Sequence, residues 1–167
     1  MKRIISSTLC LVFSIAVFTA KSQQISVSLE TFFPLVGSSN SNALSVSYIH
    51  PLKNDFKWVA GTEVALVPWG IDLTANAGVL YSKSFAKNWS WSVDCTTNQG
   101  FAMFKPSVLY VWGLSASGGV EYSFGSKSSV ALNAGLRYTA CPAYKNYSLI
   151  SDFWSVPVEL SYRIKLK

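Results

Sequence analysis

One histidine, two cysteines beyond the first apolar run and eight carboxylates are the groups in this chain with which chemistry could be done. His50 stands directly before Pro51, and no second histidine accompanies it. Histidine-based acyl chemistry needs an imidazole held between a nucleophile and an orienting acid. A lone histidine at the end of an extended segment reads instead as a structural residue. No metal-ligand spacing and no phosphate-cradling glycine loop occurs in the sequence. Cys95 and Cys141 could join in an oxidising compartment, but spacing alone does not bring two Cα atoms within about 7 Å. Independent thiols are the expectation. The remaining groups share one property. Glu30, Glu63, Asp72, Asp94, Glu121 and Glu159, with Lys57, Arg137, Arg163 and Lys165, fall in segments that alternate between apolar and polar residues. On that pattern they share one face, where charges taken out of bulk water must be paired or hydrated. Such a face predicts a structural charge network formed by Glu30, Lys57, Glu63, Asp72, Asp94, Glu121, Arg137, Glu159 and Arg163.

The elements that would position this network are β-strands. From Val156 to Lys167 the apolar set Val156, Val158, Leu160, Tyr162, Ile164 and Leu166 alternates with Pro157, Glu159, Ser161, Arg163, Lys165 and Lys167. A period of two belongs to a strand whose faces meet different environments. The same alternation runs through Gln24 to Phe33, Ala43 to Leu52, Phe56 to Val67, Asp72 to Phe85, about Ser107 to Phe124 and Ser128 to Thr139. It starts again at Trp89 and continues toward Met103 through the polar stretch Thr96 to Gly100. The count is eight, and single-chain bacterial barrels have an even number of strands.

Three connections share one plan: Leu52 to Phe56, Phe85 to Trp89 and Phe124 to Ser128 each enclose three residues. Such loops require a left-handed position. Asp55 and Asn88 tolerate it at the final place, and Lys127 suits it less. At the opposite end, Pro68 to Ile71 predicts a turn, and Ala140 to Asp152 is the longest connection. Aromatic residues gather at both strand ends. Tyr48, Phe56, Trp58, Tyr81, Phe85, Trp89, Trp91, Tyr122, Phe124 and Tyr162 flank the short turns, while Phe32, Phe33, Trp69, Trp112, Tyr138, Phe153 and Trp154 lie toward the other end. Two girdles of rings are what the two headgroup layers of a bilayer select.

Composition agrees. Half of the residues are hydrophobic and 13% are charged, too few charges for an ordinary water-facing surface. Lys2 and Arg3, an apolar run from Ile4 to Ala20 and then Ala20-Lys21-Ser22 predict a secretory signal over residues 1–22, cut after Ser22. Residues 23–167 then form one barrel domain. Cleavage removes three of the 14 basic residues and leaves 11 against 8 acidic, a formal charge of +3. That balance gives no argument for a nucleic-acid partner.

From Gln24 to Lys167 the pattern resembles the small eight-stranded outer-membrane β-barrel family of OmpA/OmpX type. The resemblance implies an antiparallel up-and-down transmembrane barrel with short periplasmic turns, outer-membrane lipids around it and assembly by the barrel assembly machinery of a Gram-negative bacterium. Family members commonly end on an aromatic residue, whereas Lys167 ends this sequence. Enzymatic barrels of this size keep their histidine toward the outer leaflet, and His50 lies at the other end. The expectation is therefore a barrel with no cofactor and no catalysis, in a structural or surface-interaction role. Tyr144, Lys145 and Tyr147 in the longest loop are the candidate contacts for an extracellular partner. A soluble, secreted lipocalin-like barrel binding a small apolar ligand is the alternative, since alternation alone does not say which face points inward.

Overall fold

The computed structural model describes residues 23–35, 39–67, 70–104, 107–142 and 152–166. Within them the alternating segments form eight strands: β1 Gln24–Pro34, β2 Ser41–Pro51, β3 Phe56–Val67, β4 Gly70–Ala86, β5 Trp89–Phe104, β6 Ser107–Phe124, β7 Ser128–Ala140 and β8 Asp152–Lys165. Each pairs antiparallel with the next, and β8 closes on β1 along eleven Cα pairs from Gln24↔Lys165 to Pro34↔Ser155. Closure leaves no sheet edge to be covered. The expected all-β, up-and-down architecture is what the chain adopts. Residues 1–22 and the loop residues Tyr144, Lys145 and Tyr147 lie outside the described residues.

The register fixes the shape of the barrel. Starting at Phe56 and stepping through paired residues gives Tyr81, Val93, Gly118, Ala134, Val158, Thr31, Asn42 and finally Leu66 on the starting strand. The circuit returns ten positions along β3. Ten residues of rise against eight strand spacings tilt the strands by about 40° and leave a bore of roughly 8 Å backbone radius, room for side chains and little else. Such curvature crowds the inner wall. A Cβ added at Gly135 would overlap the carbonyl of Ala116, and one at Gly78 would overlap that of Cys95. Glycine there lets adjoining backbones approach closely.

Burial assigns the faces. Along β8, Ser155, Pro157, Ser161 and Arg163 are buried, while Trp154, Val158, Leu160, Tyr162 and Ile164 are exposed. β1 repeats this with Ser26 and Ser28 inside and Ile25, Val27 and Leu29 outside. Apolar residues therefore cover the outer wall and polar ones fill the interior. Thr96 to Gly100 does not interrupt β5, because Thr96 and Asn98 take inward places and Thr97 and Gln99 outward ones. Thr96 Oγ1 meets Oγ of its cross-strand partner Ser115 at 2.7 Å on the inner face, and Thr97 Oγ1 donates to the Ala77 carbonyl at 3.5 Å.

The turns correct the expected chemistry. In the β2–β3 connection Leu52 N–H donates to the Phe56 carbonyl at 2.8 Å, enclosing three residues, but Asn54 and not Asp55 takes the left-handed conformation, at φ 62°. In the β6–β7 turn Gly125 takes it at φ 67°, not Lys127, because glycine carries no Cβ to oppose it. The β4–β5 turn is one residue shorter than expected: Ala86 pairs with Trp89, leaving Lys87 and Asn88 between them. The register shift falls between Ser84 and Ala86, so Phe85 sits in a bulge and Asn88 has no left-handed role. At the other end Val67 pairs with Gly70, so Gly70 and Ile71 belong to β4 rather than to a turn, and the connection holds two residues. β5 and β6 are likewise paired up to Phe104↔Ser107.

Candidate functional site

The interior brings the charged groups of several strands together. Arg137 on β7 is held most completely. Its Nη1 and Nη2 donate to Glu63 Oε2 and Oε1 on β3 at 3.0 and 2.9 Å. With the Asn98 amide oriented to suit the network, its oxygen accepts from Arg137 Nε and Nη2 at 3.2 and 3.0 Å, and its nitrogen donates to the Thr97 carbonyl at 3.1 Å. The Phe32 ring covers the guanidinium, its centroid 4.6 Å from Cζ. Planar, bidentate pairing of this kind is what distinguishes arginine from lysine at a buried carboxylate.

A second pair lies nearer the short turns. Arg163 Nη1 on β8 donates to Glu121 Oε2 on β6 at 2.7 Å, and Ser129 Oγ donates to Glu121 Oε1. Arg163 Nε has no hydrogen-bond partner among the described residues. The other carboxylates are met by neutral donors or by space. Ser117 Oγ donates to Asp94 Oδ2, and Asn133 Nδ2 donates to Glu159 Oε2 at 3.2 Å. Glu30, Glu63, Asp94 and Glu159 line, with Arg137 and Arg163, a cavity of about 90 Å³. That volume has room for several waters, which suit carboxylates lacking a cationic partner. Asp72 lies apart, lining a smaller cavity of about 30 Å³ with Phe32, Phe153 and Arg137. Among the described residues Lys57 and Lys165 make no ion pair within 4 Å. Of the nine residues expected to form a network, four therefore join in two pairs, and the rest make no direct ionic contact among the described residues.

Above these pairs the interior becomes apolar. Ala102, Val111 and Cys141 cluster with Leu109, and Phe32, Ala43 and Ala65 cluster with Val67. Phe32 and Phe153 line the small cavity, so they point into the bore and do not belong to the outer girdle. Adjacent residues of a strand face opposite ways, so one member of Phe32-Phe33 and one of Phe153-Trp154 had to turn inward; that signal was present in the sequence. Of the residues expected there, Trp112, Tyr138 and Trp154 stand in a row 5.5 and 5.3 Å apart, and Phe101 and Tyr110, with centroids 6.5 Å apart, add to this loop-end girdle. At the turn end Phe56, Tyr81 and Trp91 follow at 5.0 and 5.3 Å, and Trp89, Tyr122 and Phe124 at 4.9 and 5.0 Å. Ten positions of β6 separate Trp112 from Tyr122. That is about 34 Å along the strand and roughly 26 Å along the axis at a 40° tilt, close to the apolar band of a transmembrane barrel.

His50 lies at the turn end among aromatic rings. Its own ring stacks on Trp58 at 5.5 Å, and Nδ1 meets Tyr48 Oη at 3.4 Å. These contacts lack the serine and carboxylate that acyl transfer requires. Cys95 is exposed on the outer wall, Cys141 is buried, and the two are not joined in a disulfide.

Comparison with solved structures places this geometry. The chain is similar to neisserial surface protein A, with a TM-score of 0.60 and 15% identity over 87% of this chain and 96% of that one. It is also similar to the N-terminal β-barrel domain of Pseudomonas aeruginosa OprF, at a TM-score of 0.52 and 10% identity over 86% and 97%. A de novo designed transmembrane β-barrel matches at 0.53 and 10% identity over 89% and 98%. No protein-family model matches the chain, and no curated protein matches it in sequence. The chain has the fold of the small eight-stranded outer-membrane barrels.

Proposed function

We propose that this chain is an integral outer-membrane β-barrel, with a filled lumen and a structural or surface-interaction role rather than a catalytic one. In this reading residues 1–22 are a cleaved signal, the three short turns and both termini face the periplasm, and the barrel assembly machinery inserts the protein. One observation carries it: the barrel is apolar outside and charged inside. Leu29, Leu66 and Val108 are 63, 61 and 67% exposed in mid-wall or near the loop end, while Glu63, Glu121, Arg137 and Arg163 are buried. A soluble lipocalin-like barrel needs the opposite arrangement, an apolar interior for its ligand and charge toward water. Exposed apolar rows bounded by two aromatic girdles suit hydrocarbon.

The apolar clusters at the loop end and the Arg137–Glu63 pair below them fill the bore, which supports a stabilising lumen over an open pore. Tyr144, Lys145 and Tyr147 are proposed as the contact surface for an extracellular partner, and exchanging both tyrosines for serine is expected to reduce binding to cells with insertion unchanged. The membrane reading is tested by cell fractionation and by refolding into lipid vesicles. Val158 faces outward on β8, and Val158→Arg is expected to lower the stability of the inserted barrel by about 2–4 kcal/mol near the bilayer midplane. A wild-type protein that folds as a soluble monomer in detergent-free buffer and does not enter vesicles would overturn it.

A further inference from the structure

Among the described residues the short-turn rim carries a cluster of exposed lysines and the other rim does not. All six lysines among the described residues, Lys53, Lys57, Lys83, Lys87, Lys127 and Lys165, lie at that end. Lys53, Lys83, Lys87 and Lys127 are exposed, and Asp55 is the exposed acid beside them. No lysine or arginine faces outward at the loop end among the described residues, where Asp152 is exposed.

The β4–β5 hairpin gathers this charge most tightly. β3 pairs with β4 only as far as Phe56↔Tyr81, with Ser82 N–H donating to the Asp55 carbonyl just beyond. Residues 83–86 run on past the β3 edge, and of them Lys83, Ser84 and Ala86 pair with β5 alone. The stagger of the tilted barrel therefore pushes this hairpin out beyond its neighbour. Its exposed side chains are amphipathic: Lys83 and Lys87 accompany Phe85, Trp89 and Trp91, which are 61, 44 and 38% exposed. Lys83 is paired across the strands with Trp91, so a cation and an indole stand side by side at girdle height. Rings settle at the headgroup boundary while lysine stems carry their ammonium groups outward to phosphate.

Resting on the membrane reading above, we propose that this hairpin is a docking surface for anionic phospholipid headgroups of the leaflet that meets the short turns. A phosphodiester with net negative charge is the complement of Lys83 and Lys87, and its acyl chains are the complement of Phe85, Trp89 and Trp91. A zwitterionic headgroup offers the same chains with its phosphate neutralised.

The test uses the mature barrel in phosphatidylcholine vesicles with Trp58, Trp69, Trp112 and Trp154 replaced by phenylalanine, so that Trp89 and Trp91 report. Brominated phosphatidylglycerol is expected to quench them several-fold more effectively than brominated phosphatidylcholine at equal mole fraction, since a lysine near an anionic surface contributes about fivefold. The excess is lost in Lys83→Gln/Lys87→Gln and under high salt, and kept in Lys53→Gln/Lys127→Gln. Equal quenching by the two lipids, or full retention of the excess in Lys83→Gln/Lys87→Gln, overturns the proposal. Should the four-tryptophan variant not insert, native mass spectrometry of the otherwise unaltered barrel and of Lys83→Gln/Lys87→Gln makes the same distinction through the phosphatidylglycerol each retains. Insertion without lipid preference removes this proposal alone, whereas failure of the wild type to insert into any bilayer removes the membrane reading with it.

Discussion

Arg137 and Arg163 are both buried inside the barrel and both meet a glutamate, Arg137 across the bore from β7 to β3 and Arg163 along the wall from β8 to β6, yet they are held very differently. Arg137 directs its donors to both oxygens of Glu63 and to Asn98, under the ring of Phe32. Arg163 gives one bond to Glu121 and leaves Nε without a partner among the described residues. The surroundings differ in the same sense. Phe32, Ala65 and Val67 crowd the loop-end interior, whereas the turn end holds Lys57, Lys165 and Gln24. A buried charge must be satisfied by protein where apolar packing excludes water, and can be met by water where it does not. The two pairs show that similar burial does not fix how completely a charge is held.

Removing one partner from each pair is the harshest way to break this comparison. Glu63→Ala leaves the buried Arg137, covered by the Phe32 ring, without its bidentate partner and is expected to cost about 3–5 kcal/mol, read as a drop in urea midpoint in vesicles with the slope unchanged. Glu121→Ala leaves Arg163 within reach of hydration near the turns, so the expected loss is about 2 kcal/mol, the range of a hydrogen bond to a charged group. Equal losses at the two sites would erase the distinction. Phe32→Leu keeps an apolar body over Arg137 and removes the ring face, for an expected loss of about 1 kcal/mol. The smallest change sharpens the point: Glu63→Leu combined with Arg137→Met replaces the whole pair by apolar volume and is expected to stay within about 1 kcal/mol of the wild type. A double variant as damaged as Glu63→Ala would show that the pair contributes more than mutual neutralisation.

Much of this architecture can be read along the chain, and the failures have identifiable causes. Alternation locates all eight strands because a wall with hydrocarbon-like residues on one side and polar residues on the other imposes a period of two. Strand ends are less legible. Gly70 and Ile71 look like turn residues and pair as strand, since cross-strand hydrogen bonding overrides local preference. The left-handed residue of each turn escapes a reading by composition because register decides which position needs it; Asn54 and Gly125 hold it. Phe85 reads as the last residue of a strand, and only the pairing of Ala86 with Trp89 reveals the bulge.

That Glu63, Arg137, Glu121 and Arg163 lie on the polar face of their strands follows from the sequence by itself, because a side chain's face depends only on its place in the strand; that this face points inward is decided by the closed barrel. Which of them meet does not follow. Glu63 and Arg137 are 74 residues apart, and the strands that carry them are not paired with each other. Their contact depends on the ten-residue stagger that tilts the strands and on a bore narrow enough for side chains from opposite walls to touch. The same stagger carries Lys83 beyond the edge of β3. Alternation is local and survives in the linear chain, whereas closure and shear are sums over all eight pairings and exist only once the barrel has closed.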